Sequence, residues 1–251
     1  MKKLIYSLML GGLVLLAGCF ETTQEITINK DGTGVFKSTT DLSSLLGLLK
    51  QMGGDDTAKI KNTDTTILLS NLSDSITGLT PRQKKIINQG SMNLTLNMQD
   101  EKLLIKLNLP FQKIEDLQIL KEAVPKISAA VMNKLPGTDQ VPGGMGGADT
   151  SKIKSFDNFF DVTFSDKLML KTLNKEKYAS GKDGDYMKTL QQLSGMGSPV
   201  KANYIINLPH AAKKVEGKAA KLSDDKKQIT IAVTSDDFFN DPSKFEYRIE
   251  Y

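Results

Sequence analysis

The chain of 251 residues has one cysteine, one histidine and no tryptophan. Cys19 has no second thiol to pair with, so an intrachain disulfide is excluded and the fold must rest on its core. A lone histidine, His210, rules out HExxH and multi-histidine zinc sites. Beyond Cys19 there is no thiol nucleophile, and a Ser-His-Asp triad would have only His210 to use. No serine sits in Gly-x-Ser-x-Gly; around Ser194, Gln192 and Met196 stand where the glycines belong. The glycines of "PGTDQVPGGMGGADT", Pro136 to Thr150, have neither dinucleotide nor P-loop spacing and read as a loop. The carboxylate pairs Asp183/Asp185, Asp224/Asp225 and Asp236/Asp237 lie beside turn residues and lack the spacing of a calcium loop. The expectation is a protein that is not an enzyme and needs no metal and no cofactor.

Long apolar runs are scarce as well. Only Leu4 to Gly18 qualifies, and its 15 residues fall short of the roughly 20 that span a bilayer as a helix. It follows Lys2-Lys3 and ends in small residues, which is the pattern of a cleaved secretory signal. Removing residues 1–18 takes both lysines, so the formal net charge falls from +4 to +2 and 233 residues remain. That length buries one or two ordinary cores. A nearly balanced surface argues against nucleic acid as a partner.

The signal closes on Leu16-Ala17-Gly18-Cys19, which resembles the lipobox of bacterial lipoproteins. That resemblance implies cleavage between Gly18 and Cys19, diacylglycerol on the Cys19 sulfur and an acylated amine, palmitate being a typical chain. It places the protein in the cell envelope, membrane-bound through the lipid. Phe20 stands where an Asp would retain an enteric lipoprotein in the inner membrane, so the resemblance implies the outer membrane.

Residues 19–24 read as a lipidated tether. Alternation then begins in "EITINKDGTGVFKST", where Ile26 and Ile28 precede an Asp31-Gly32 turn and Val35 lies on the return strand. Asp41 is placed to cap a helix with Leu42, Leu45, Leu46, Leu49 and Met52 on one face, ended by Gly53-Gly54. Thr80-Pro81 opens a short helix that Gly90 stops. "SMNLTLNMQDEKLLIKLNLP" reads as a hairpin turning at Asp100-Glu101, pairing Met92, Leu94, Leu96 and Met98 with Leu109, Leu107, Ile105 and Leu103. Ile114, Leu117, Leu120, Val124, Ile127, Val131 and Leu135 follow at helical spacing, and Pro125 should kink or split that helix. Later strands are "NFFDVTF", "LMLKTL", "NYIINLP", "KQITIAV" and the alternating "KFEYRIEY", with a helix from Tyr186 to Leu193. The sum is an α+β fold, antiparallel sheets from hairpins packed on amphipathic helices. The reading divides it into a first lobe at 25–135, a Gly/Pro-rich loop at 136–151 and a strand-rich second lobe at 152–251.

"EITINKDGTG", "LTPRQKKIINQGSMNLTLNM" and "LPHAAKKVEGKAAKLSDDKKQITI" with "DPSKFEYRIEY" resemble uncharacterised lipoproteins of the Bacteroidetes. Two shorter patches, the Lys-Asp-Gly hairpin and the strand ending in Leu-Pro, are distantly similar to the LppM-type lipoprotein domain. The resemblances imply an α+β domain at an envelope surface, an interaction or structural module contacting an envelope protein, glycan or lipid. The alternative is a carrier or sensor of a lipid or glycolipid, for which the adaptable Met/Leu face of the long hairpin is suited. Exported proteins of the Bacteroidetes are often O-glycosylated at Asp-Ser/Thr before a small or apolar residue. The resemblance thus makes Thr57, Thr65, Ser75 and Thr150 candidate glycosylation sites, three of them in segments that read as polar loops.

Overall fold

A computed structural model describes residues 20–44, 46, 62–132, 156–195 and 199–251. The fold is α+β. Its larger sheet has eight strands: β1 (Glu21–Ile28), β2 (Gly34–Asp41), β3 (Thr63–Leu68), β4 (Ser91–Asn97), β5 (Lys102–Phe111), β8 (Lys201–Asn207), β10 (Ala220–Leu222) and β11 (Gln228–Thr234). Their order across the sheet is β10-β11-β8-β1-β2-β5-β4-β3. The smaller sheet, β6-β7-β12-β9, uses β6 (Phe160–Ser165), β7 (Leu168–Leu173), β12 (Tyr247–Glu250) and β9 (Lys214–Glu216). Helices are α1 (Pro81–Ile87), α2 (Asp116–Met132), α3 (Lys175–Gly181), α4 (Asp185–Gly195) and α5 (Ser235–Asn240).

Register explains why one face of the large sheet is core. Ile229, Ile206, Ile26, Phe36 and Leu109 lie abreast across five strands, and all are buried. Alternation puts their neighbours on the other face, where Asn207 donates to Glu25 at 3.0 Å and Thr27 at 3.1 Å, and Gln228 donates to Asn207 at 2.9 Å. The apolar face is covered by α2, through Leu117, Leu120, Val124 and Ile127, and by the small sheet, through Met169, Tyr247 and Ile249. Between them sits a cluster of rings, with Phe238 within 4.9–5.6 Å of Phe156, Phe159 and Phe245.

Several expectations change. The division at 136–151 does not separate two lobes, because β8 from the second half runs parallel to β1 in the middle of the large sheet. A pairing so distant in sequence leaves no trace in local periodicity. The strand begins at Glu21, so most of the expected 19–24 tether is sheet. In the long hairpin, Met92, Leu94 and Leu96 face Leu107, Ile105 and Leu103, two positions from the expected pairing but on the same face. The cause is the turn. Asn97 accepts from the backbone N–H of Gln99 at 2.9 Å and Asp100 at 3.1 Å, and Glu101 takes φ 49°, which closes a longer loop than Asp100-Glu101 alone.

Gly90 has a different role from the one expected. It does not adopt positive φ; a Cβ there would lie 2.6 Å from Leu109 Cδ2 and 2.7 Å from the Asn108 carbonyl, so it is a close-approach glycine. The start of α1 is as expected, with Thr80 and Gln83 forming a reciprocal capping box. Pro125 does not split α2, which runs continuously through it. Val35 pairs with Thr27 and leaves the inner face to Phe36. Asp41 ends β2 and accepts from the Ser43 N–H at 2.9 Å, with helical backbone following at residues 43, 44 and 46. Leu45, Leu49, Met52, Leu135 and the 136–151 loop lie outside the described residues. The C-terminal alternation holds, with Phe245, Tyr247, Ile249 and Tyr251 all buried.

Candidate functional site

The large sheet's inner face has polar residues near its centre. In the row Ile231, Tyr204, Gln24, Ser38, Leu107, Tyr204 and Gln24 point at Asp157, held by the 3-10 turn Phe156–Phe159. Asp157 Oδ1 accepts from the Tyr204 hydroxyl at 3.0 Å, and Oδ2 accepts from Gln24 Nε2 at 3.2 Å. Lys171, on β7, completes the group with an ion pair to Asp157 Oδ1. Its ammonium also lies 4.1 Å from the Tyr204 ring centroid, 4.9 Å from that of Phe160 and 5.6 Å from that of Phe245, a cation–π setting in which one anion and three rings replace water. Lys171 is 2% exposed and Asp157 7%.

Burial by itself would raise the Asp157 pKa. The charges of Lys171 and Lys121 and the hydrogen bonds from Lys171 and Tyr204 outweigh it and hold the carboxyl at about 2. Burial moves Lys171 below the ordinary lysine value, with Asp157 opposing. It raises Tyr204 well above a free phenol, reinforced by the Asp157 charge. Lys121 reaches in from α2 and donates to the Phe160 carbonyl at a long 3.4 Å. Burial brings its pKa down to about 8, against the attraction of Asp157.

These groups line a cleft with Ile26, Phe36, Leu117, Val162, Phe164 and Tyr247, whose volume of about 30 Å³ admits one or two waters. Ligand pockets for lipid-sized molecules run to roughly 300–1,000 Å³, so the carrier reading draws no support from it. The cluster joins β1 of the large sheet to β7 of the small one through Gln24, Asp157 and Lys171.

Lys121 gives a pH test. Its folded pKa of about 8 lies below the unfolded value of 10.5, so between these values the unfolded chain binds the extra proton and stability rises with pH. Urea midpoints at pH 7, 9 and 10 should show that Lys121→Met loses this rise relative to the parent. Parallel curves for the two proteins would refute the assignment.

The residues singled out in the sequence do not converge on this cluster. Gly18, Cys19, Thr57 and Thr150 lie outside the described residues. Thr65 falls in β3, opposite Leu94 in a row leading to the buried Ile105, and not in a loop as expected. Ser75 is exposed in a 3-10 turn, its hydroxyl donating to the Leu72 carbonyl at 2.8 Å. His210 is exposed in the segment after β8. Asp225 accepts from Ser223 and from the Lys227 N–H in a turn, and Asp237 forms the capping box of α5 with Thr234. Missed altogether were Asp157 and Lys171, charged residues inside the apolar strings "SFDNFF" and "LMLKTL". No protein-family model matches the chain, and neither a curated protein nor a solved structure matches it.

Proposed function

We propose that the chain is a lipid-anchored lipoprotein of the cell envelope, a non-enzymatic interaction or structural module held at the outer membrane by acyl chains on Cys19. The observation that carries the reading is the run Lys2-Lys3, a short apolar segment and Leu16-Ala17-Gly18-Cys19, followed at once by a folded strand at Glu21. The strand at Glu21 lies wholly after the cleavage site, so removing residues 1–18 leaves it intact. Phe20, at the second position of the mature chain, supports the outer membrane over the inner.

Two or three acyl chains hold a protein in a bilayer effectively for good, at roughly 0.8 kcal/mol for each buried CH₂, whereas one chain is marginal. Cys19→Ser removes the nucleophile for lipid transfer. It should move the protein from the membrane fraction to the soluble fraction, or leave an unprocessed precursor, as read by fractionation and intact mass. Wild-type protein in the soluble fraction, with no lipid mass on Cys19, would sink the reading.

A further inference from the structure

No spare chain separates Cys19 from the fold. The Phe20 carbonyl accepts from the Lys201 N–H at 2.8 Å, and β1 starts one residue later. The Cα of position 19 therefore lies about 3.8 Å from that of a residue already fixed in the sheet. A lipid on that residue leaves little more than the Cys19 side chain and its glyceryl link between the bilayer and the fold, which brings the bilayer against whatever surrounds the start of β1.

We propose, on the reading of Cys19 as the lipid attachment site, that the edge of the large sheet where β1 begins rests on the lipid headgroups, with the strands rising away from the bilayer. Pairing shows what shares that edge. β8 is parallel to β1 with Lys201 beside Glu21, and β2 ends there at Asp41. β11 ends there at Thr234, beside Lys201, and β5 begins there at Lys102. The row is hydrophilic and mixed in charge, which suits contact with zwitterionic and anionic headgroups and not insertion among acyl chains; the lipid itself supplies the attachment.

The opposite edge carries the Asn29–Thr33 turn and the segment from Leu208 to His210. It stands about 25 Å away, since an eight-residue strand rises roughly 3.3 Å per residue. Among the described residues, the two large exposed hydrophobics lie at that far edge, Leu68 at the end of β3 and Leu222 at the end of β10. The occupant assigned to the near edge is the bilayer surface, because only a bilayer is fastened within one residue of it.

The test uses the full lipidated chain in phosphatidylethanolamine/phosphatidylglycerol vesicles. Alkylation blocks Cys19, so a thiol introduced by Lys102→Cys, Lys201→Cys, Lys30→Cys or His210→Cys is the only one free to take a maleimide fluorophore. All four positions are exposed. Nitroxide-bearing headgroups, which quench only in near contact, should quench labels at 102 and 201 and leave those at 30 and 210 at the level of nitroxide-free vesicles. Inserting ten Gly/Ser residues between Cys19 and Phe20, a flexible coil of about 17 Å, should abolish the contrast. Equal quenching at all four positions in protein whose mass carries the lipid would overturn the orientation and leave the anchor standing. Absence of lipid mass on Cys19 would overturn both.

Discussion

Lys171→Met should cost about 3–5 kcal/mol of stability, the range found when one partner of a buried ion pair is removed and the other stays buried and charged. The methionine keeps most of the stem volume, so the loss reports the stranded Asp157 carboxylate more than a cavity. The Tyr204 and Gln24 donors remain on that carboxylate, which sets the cost below that of a bare buried anion. Asp157→Asn alone strands the Lys171 ammonium among Phe160, Tyr204 and Phe245 and should also be severe. Combining the two removes both charges and keeps an amide oxygen for the Tyr204 hydroxyl. The double variant should then lose less than the sum of the singles, because the pair's attraction is counted twice in that sum. Urea midpoints of the four proteins at pH 7 give the coupling; strictly additive losses would show that the pair is not an energetic unit.

The same pair contributes to stability in acid. With Asp157 at about 2 when folded and near 3.8 when unfolded, its contribution is fully present above about pH 4 and fades as the pH falls through 2. Asp157→Asn should flatten that part of the acid unfolding curve. The consequence reaches β1, because Gln24, Asp157 and Lys171 tie that strand to the small sheet. Loosening the cluster loosens β1.

The sequence showed best what is local. Hairpin faces, the Thr80-Pro81 helix start and the buried alternation of Phe245 to Tyr251 follow from periodicity and capping chemistry acting over a few residues. Register is less local. The two-residue shift in the long hairpin comes from Asn97, whose side chain organises the turn while alternation alone makes it one more polar strand position. Topology is least local: that β8 enters the sheet beside β1 depends on packing between residues some 180 apart, which no alternation pattern encodes. The ion pair was hidden for a related reason. In "LMLKTL" both parities are apolar, so nothing marks Lys171 as inward-facing until Asp157 and Tyr204 are brought to it. A charged residue within an otherwise apolar strand is the one signal that was available.

Gly34 should tolerate no side chain, although its position in β2 looks ordinary. Its φ is not in the left-handed region, so the constraint is space and not backbone conformation. A Cβ would stand 2.1 Å from the Thr27 carbonyl oxygen on β1 and 2.3 Å from Phe111 Cζ on β5. The ring can turn; the carbonyl can move only if β1 does. Overpacking of this kind costs about 1–3 kcal/mol, and more where backbone has to shift, so Gly34→Ala should sit at or above the top of that range. Gly34→Ala/Phe111→Leu separates the two clashes. It should recover only the part due to the ring, while Phe111→Leu alone pays for lost burial at a side chain 1% exposed. Because the clash falls on the Thr27 carbonyl of β1, the displacement should also appear as faster amide hydrogen exchange along Glu25 to Ile28 than in the parent. Unchanged exchange and an unchanged urea midpoint in Gly34→Ala would show that the hairpin absorbs a methyl group there, and that the close approach of β1, β2 and β5 is not what fixes β1.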